Sequence, residues 1–164
     1  MRQPTAMMDF DSTIAVAMTA ADCWAALERL AAATCGHKLF TVTTVDLGEN
    51  VARRLHTSNP VAYPVSGSKP IVRDRWFEIV HGQGRMFVAN TIAVIAKVFP
   101  DHETIASLGC GSVVNLPVVL KGQLVATINM LHKEHFYTPE RVATIEATLP
   151  VPAKLSLLAA RALT

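Results

Sequence analysis

Apolar residues dominate residues 111–133, and their pattern predicts two long strands joined by a tight turn at Lys121 and Gly122. Three polar side chains interrupt this apolar stretch: Asn115, Thr127 and Asn129. A buried amide without a hydrogen-bond partner costs about 1–3 kcal/mol. The three side chains therefore predict partners of their own, either in the protein or in a bound molecule.

The length of the turn decides which side chains share a face of this hairpin. A two-residue turn pairs Leu120 with Gln123, whereas a three-residue loop pairs Val119 with Gln123. A shift of one residue changes which side chains face which, and the two-residue turn mixes the polar groups into both faces. We therefore predict the three-residue loop.

The three-residue loop makes one face of the hairpin mostly apolar with a few polar groups, a composition typical of small-molecule pockets. It places Asn115 opposite Thr127 and Val113 opposite Asn129. We expect a pocket over this face; the alternative is that the polar groups bond only the backbone of a covering loop. The face would hold Val113, Asn115, Pro117, Val125, Thr127, Asn129 and Leu131.

Helical patterns lie at both ends of the chain, with short strands and helices between them. This order predicts an α+β fold, in which an antiparallel sheet carries the terminal helices on one face and short helices and a Pro-rich loop on the other. Residues 1–13 are predicted to be a loose leader and residues 14–164 a single domain. The predicted strands are residues 38–46, 51–58, 86–89 and the two arms of the hairpin; the predicted helices are residues 22–34, 72–81, 91–99, 101–108 and 138–163, the last interrupted at Pro150 and Pro152; the loop is residues 59–70.

Composition narrows the function classes. The chain is 51% hydrophobic and 17% charged with a net charge of +2, so it predicts no nucleic-acid partner. No run reaches the roughly 18 apolar residues of a membrane span, and we expect no membrane partner.

Cys23, Cys35 and Cys110 lack CxxC spacing, which favours free thiols in the cytoplasm. The very apolar segment 155–163 predicts a homodimer through the terminal helices.

Residues 99–142 resemble the C-terminal half of a GAF domain. The resemblance rests on SVVNLPV at residues 112–118, the turn at Lys121, the apolar strand 124–131, and FYTPE at residues 136–140, which opens a helix. The earlier Pro- and Trp-containing stretch fits the same pattern, so that the resemblance extends over roughly residues 20–162.

The resemblance implies a PAS-related six-stranded antiparallel sheet with terminal helices on one face and a small-molecule pocket on the other. We therefore expect a stand-alone sensory or regulatory domain that binds a small, neutral or weakly polar molecule and acts on a separate partner protein. No cofactor is expected. The alternative function is a dimeric interaction domain without a ligand.

An enzyme with the GAF fold, free methionine-(R)-sulfoxide reductase, suggests a catalytic alternative. Its chemistry needs a low-pKa attacking cysteine. By strand alignment, its acidic substrate-binding positions fall on Val113, Asn129 and Leu131, and its upstream cysteine falls near Ala106. Because none of these residues matches, we expect no enzyme activity and no catalytic residue. The scattered histidines, none beside a cysteine, predict neither a bilin attachment nor a metal site.

The predicted ligand-binding residues combine the polar face of the hairpin with aromatic walls from the middle of the chain. Tyr63 would act as an outer lid and Cys110 would border the mouth. For each aromatic side chain the alternative is simple core filling. The set is Tyr63, Trp76, Phe77, Phe87, Asn90, Cys110, Val113, Asn115, Thr127, Asn129 and Leu131.

Overall fold

A computed structural model describes residues 3–164. The chain forms two compact units, a helical unit of residues up to 37 together with 139–164, and a sheet unit of residues 38–138. The elements in chain order are α1 (Gln3–Val16), α2 (Ala20–Thr34), β1 (Leu39–Asp46), β2 (Val51–Thr57), β3 (Ser68–Pro70), α3 (Arg75–Phe77, continued by a π-helical turn, Glu78–Gly82), β4 (Phe87–Ala89), α4 (Ile92–Ala96), α5 (His102–Ser107), β5 (Ser112–Leu120), β6 (Gln123–His132), α6 (Pro139–Thr148) and α7 (Pro150–Ala162).

Helix α2 begins where its capping signal predicts. The Thr19 hydroxyl accepts from the Asp22 backbone N–H, and the Asp22 carboxylate accepts from the Thr19 N–H at 2.9 Å. This reciprocal pair satisfies two of the free N–H groups at the start of the helix. The apolar face of α2 is buried, as its helical spacing indicates.

Helix α1 occupies most of the segment that the sequence predicted as a loose leader. Residues 1 and 2 lie outside the described residues. Ala6 and Phe10 are buried, and the Arg29 guanidinium of α2 donates to the Thr13 hydroxyl at 3.2 Å. Among residues 5–16 of α1, whose side chains the structure describes, only Ala6 and Phe10 are buried, and the polar residues around them weaken the helical pattern. The sequence signal was therefore too faint to predict this helix.

The last helical pattern breaks at Leu149. Pro150 and Pro152 lie in the first turn of α7 rather than between two helices, because a first turn needs no N–H donor from proline. No single helix between Gln3 and Thr164 is long and apolar enough to cross a bilayer, although α6 and α7, taken together across a bend of 45°, satisfy that criterion by length and composition.

The sheet unit contains six strands in the order β3-β2-β1-β6-β5-β4, and every neighbouring pair is antiparallel. The predicted α+β class and six-stranded antiparallel sheet are confirmed. The sequence pattern by itself marked five strands and assigned β3 to the Pro-rich loop. Strand β3 escapes pattern recognition because its three residues, Ser68–Pro70, are all exposed and contain no apolar alternation.

The hairpin turn has two residues, so the predicted three-residue loop is wrong. Leu120 pairs with Gln123, and Lys121 and Gly122 both have positive φ, 53° and 72°. Positive φ at both central residues is the signature of a type I′ turn, whose twist matches that of the flanking strands.

A β-bulge two residue pairs beyond the turn restores the polar face that the two-residue turn alone would destroy. Val119 pairs with Leu124 but Val118 pairs with Ala126, so Val125 is an extra residue on β6. One extra residue returns the following side chains to the faces expected for a three-residue loop.

The bulge also shifts the pairing by two positions from the predicted one. Asn115 lies opposite Asn129 rather than Thr127, and Val113 lies opposite Leu131 rather than Asn129. The set of side chains on the face was therefore predicted correctly beyond the bulge, but their partners were not. This difference brings the two amides directly together.

Candidate functional site

A cavity of about 300 Å³ lies within the sheet unit. One face of the sheet lines it from β1, β2, β5 and β6, and the loop before α3, α3 itself and the α4–α5 connection complete the wall. This volume is at the lower end of the range for small-molecule sites. The loop that the sequence placed over the polar face therefore does border an open cavity.

Most of the predicted ligand-binding residues line this cavity. They come from the loop, from α3 and from the two arms of the hairpin, which are distant in sequence. Their predicted contact with a ligand remains a prediction. The residues brought together are Tyr63, Trp76, Phe77, Val113, Asn115, Thr127, Asn129 and Leu131.

Three predicted residues lie elsewhere. Phe87 packs edge-on against Phe99, with ring centroids 6.0 Å apart, in the apolar core. Asn90 donates to the backbone carbonyl of Tyr137 at 2.9 Å and accepts from its N–H at 3.2 Å, which holds the chain after β6. Cys110 is buried, and burial raises the pKa of its thiol. These side chains have local structural roles that a linear sequence does not distinguish from pocket positions.

The polar side chains of the cavity floor form one continuous chain of hydrogen bonds. The Trp76 indole Nε1 donates to Asn115 Oδ1 at 2.9 Å, and Asn115 Nδ2 donates to Asn129 Oδ1 at 2.7 Å. Asn129 Nδ2 then donates to the hydroxyls of Thr41 at 3.1 Å and Thr43 at 3.3 Å. The amides thus bond one another and an indole rather than the loop backbone.

The indole sets the direction of this chain. An indole N–H can only donate, so it requires the oxygen of Asn115 to point toward Trp76. The Asn115 amide nitrogen then faces the oxygen of Asn129, whose own nitrogen must face the threonines. Both amide orientations follow from the chemistry of Trp76.

Thr41 and Thr43 are functional candidates that sequence reasoning missed. The β-branched pattern of residues 38–46 predicted the strand correctly, but it did not show which strand β1 would adjoin. Only the pairing of Thr41 with Asn129 and of Thr43 with Thr127 places these hydroxyls on the cavity floor.

Tyr63 ties the loop to the opposite wall. Its hydroxyl donates to Asp101 Oδ2 at 2.5 Å, and the Arg54 guanidinium lies 4.9 Å from the centre of its ring. Burial first, and then the bond to Asp101, raises the pKa of the Tyr63 phenol well above its ordinary value. The phenol is therefore a neutral donor that closes one side of the cavity.

Solved structures with the same architecture identify the fold. The GAF domain of a phosphoenolpyruvate-protein phosphotransferase from Coxiella burnetii matches 98% of this chain and 95% of its own, with a TM-score of 0.71 at 12% identity. The fold is that of a GAF domain. A second similar structure, the GAF domain of a two-component sensor histidine kinase from Bacillus halodurans, covers 87% of this chain and 97% of its own, with a TM-score of 0.68 at 11% identity. No protein-family model and no curated protein match the sequence.

The free methionine-R-sulfoxide reductase from Neisseria meningitidis, solved with its substrate, is a further GAF-fold neighbour. It matches 99% of this chain and 92% of its own, with a TM-score of 0.67 at 17% identity. Val113, Asn129 and Leu131 line the cavity of this GAF fold, and none of the three carries a carboxylate. Within residues 3–164, no group of three or more His, Cys, Asp or Glu side chains could hold a metal ion.

Proposed function

We propose that this GAF domain is a sensory module that binds a small, largely apolar molecule in the cavity and passes the bound state to a separate partner protein. The observation that carries the proposal is a cavity of about 300 Å³ whose floor is a directed hydrogen-bond chain. If Asn115 and Asn129 served only to fill the core, apolar residues of the same shape could replace both amides at little cost in stability. Their presence therefore favours a binding role.

Two hydrogen-bonded side chains of the cavity wall would couple a bound ligand to the arrangement of the loop and of α3. Trp76 belongs to the short helix α3 and holds Asn115 on the floor, and Tyr63 joins the loop to Asp101. A ligand that contacts these side chains would favour one arrangement of the loop and α3 over others. That arrangement would be the signal that a partner protein reads.

A thiol enzyme is not part of this proposal. Burial raises the pKa of Cys35 to about 11 and also raises the pKa of Cys23 and Cys110, so each thiolate is disfavoured at neutral pH. Cys110 also does not line the cavity. None of the three residues forms a disulfide, which fits a reducing cytoplasm, where we propose that the protein acts.

Thermal-shift screening followed by calorimetry tests the cavity. A ligand at 100 times its dissociation constant stabilises the folded state by about 2.7 kcal/mol. Thr127→Phe should fill the cavity and abolish binding of every hit. Thr44→Phe, which adds the same ring at a strand position outside the cavity lining, is the matched control. Hits that bind Thr127→Phe with unchanged affinity would contradict the proposal.

The surface of α7 supports a second candidate function, assembly into a homodimer through the terminal helices. Val151, Leu155 and Leu158 are 73%, 41% and 50% exposed, and their spacing places them on one face of the helix. An apolar stripe of this kind favours a protein partner. Light scattering should show a dimer that Leu158→Glu dissociates; a monomeric wild-type protein would rule the dimer out.

A further inference from the structure

Strand pairing places a second polar row beside the amides on the cavity floor. Thr43 of β1 lies opposite Arg54 of β2 on one side and opposite Thr127 of β6 on the other. All three side chains line the cavity. Opposing side chains on neighbouring strands lie about 4.5–5.5 Å apart at Cβ. We call Arg54, Thr43 and Thr127 the arginine row.

Because the hydrogen-bond chain ends on threonine hydroxyls that act as acceptors, the protons of these hydroxyls remain available as donors on this part of the floor. Thr41 and Thr43 already accept from Asn129, and neither hydroxyl donates to any group within residues 3–164. Thr127 is 2% exposed, and its hydroxyl has no hydrogen-bond partner in the same range. Hydroxyl protons without an acceptor in the protein are available to a group in the cavity.

Arg54 adds a positive charge at the end of the row. Its Nη1 donates to the Pro64 carbonyl at 3.0 Å, while the buried Nε has no hydrogen-bond acceptor among the described residues. No carboxylate lies within ion-pair distance of Arg54 in residues 3–164. A guanidinium is always charged, and its planar fork matches a carboxylate.

We propose that the cavity takes a small organic carboxylate, with its carboxylate group over the arginine row and its apolar part against Trp76 and the hairpin side chains. The inference rests on the proposed function and changes the expected ligand from a neutral molecule to an anion. The guanidinium and the Thr43 and Thr127 hydroxyls are the donors that a carboxylate requires, and Trp76, Val113 and Leu131 of the same cavity offer apolar surface to the rest of the molecule.

The acidic side chains of the wall are engaged elsewhere. Asp101 accepts from Tyr63, and Asp74 Oδ1 accepts from the Phe77 N–H at the start of α3. Lys69 also lines the cavity and offsets one of the two negative charges. One guanidinium with two hydroxyls suits a single negative charge rather than a phosphate dianion.

The test compares isosteric pairs of an acid and its primary amide. Phenylacetate with phenylacetamide, and isovalerate with isovaleramide, are titrated into the full chain at constant ionic strength, and binding is followed by calorimetry and by heteronuclear NMR. Each acid should bind at least about tenfold more tightly than its amide, as expected for hydrogen bonds to a charged group.

Two variants assign that preference to the arginine row. Arg54→Met keeps the apolar stem and should weaken binding of the acid at least about tenfold, and by a larger factor than it weakens binding of the amide. Thr127→Val, which keeps the side-chain shape, should weaken binding of the acid by roughly two- to tenfold. Arg53→Met is the matched control, because the exposed Arg53 pairs with Glu49 at 2.9 Å and does not line the cavity.

The outcomes separate this inference from the proposed function. Amides that bind as tightly as their acids, or an acid preference that survives Arg54→Met, would overturn the carboxylate inference and leave a small-molecule cavity in place. If neither acids nor amides bind, and the wider screen also yields no ligand, both the inference and the proposed function fail. Loss of acid binding in Arg53→Met as well as in Arg54→Met would also overturn the assignment to Arg54.

Discussion

Trp76 and Asn115, which are 39 positions apart in the sequence, meet in a hydrogen bond of 2.9 Å between the indole Nε1 and the amide Oδ1. This contact joins the short helix α3 to the centre of the sheet unit. It also determines how the next amide along, Asn129, must be oriented. The direction of the hydrogen bonds on the cavity floor therefore depends on Trp76, an aromatic side chain from outside the sheet.

Replacing Trp76 with Phe should destabilise the protein by about 1–3 kcal/mol, because the Asn115 oxygen loses its donor in a buried site. Chemical denaturation would measure the change in the free energy of unfolding. A double-mutant cycle with Asn115→Leu provides the control. If the two substitutions add without coupling, the indole–amide bond contributes nothing to stability.

The corrected turn predicts opposite effects at its two central residues. Lys121→Asn should stabilise the hairpin by a few tenths to about 1 kcal/mol, because Asn tolerates positive φ better than Lys does. Gly122→Ala should destabilise it by about 1 kcal/mol through backbone strain alone, since the added Cβ meets no atom within 4 Å. Thermal melts would measure both, with the exposed Gln123→Ala as control. If Lys121→Asn does not raise the melting temperature, the result would contradict a two-residue turn with positive φ at residue 121.

Tyr63 should make the stability of the protein depend on alkaline pH. Its folded-state pKa is raised above the ordinary value of 10.0, first by burial and then by the bond to Asp101. The stabilisation that the neutral Tyr63 phenol gives to the folded state is fully present below about pH 10. It is lost as the pH rises further, because the phenol ionises at a lower pH in the unfolded chain than in the folded protein. Denaturant melts across that range should show the decline.

Tyr63→Phe supplies the control for the alkaline effect. The variant should be less stable at neutral pH, because Asp101 loses its donor, and its stability should fall less steeply above pH 10. Ultraviolet titration of the phenolate should show one late-ionising group fewer than in the wild type. An unchanged alkaline profile would contradict the assignment to Tyr63.

The thiols of the native protein should react slowly with a disulfide reagent. Burial is the main cause that raises the pKa of Cys23, Cys35 and Cys110, and the thiolate is the reactive form. The same reagent should modify all three quickly in denaturant. Rapid modification of one thiol in the folded protein would reveal an accessible low-pKa cysteine and revive the thiol-enzyme alternative.

Local patterns predicted a large part of this GAF fold. Capping signals and apolar periodicity located α2, β1, β2 and the β5–β6 hairpin, because each is encoded within a short window. Helix α1 and strand β3 were missed because one buries little apolar surface and the other has only three residues. Such elements are stabilised by contacts outside their own sequence.

The sequence alone determined that three polar side chains would interrupt an apolar hairpin, and that they would share a face. It did not determine their partners. Asn129 donates to Thr41, 88 positions away, and the amide pair exists only because a bulge at Val125 compensates for a two-residue turn. Pairing register and bulges depend on energy differences summed over neighbouring strands. Only the tertiary structure could therefore decide that the floor of the cavity ends beside Arg54 in threonine hydroxyls that donate to no group within residues 3–164.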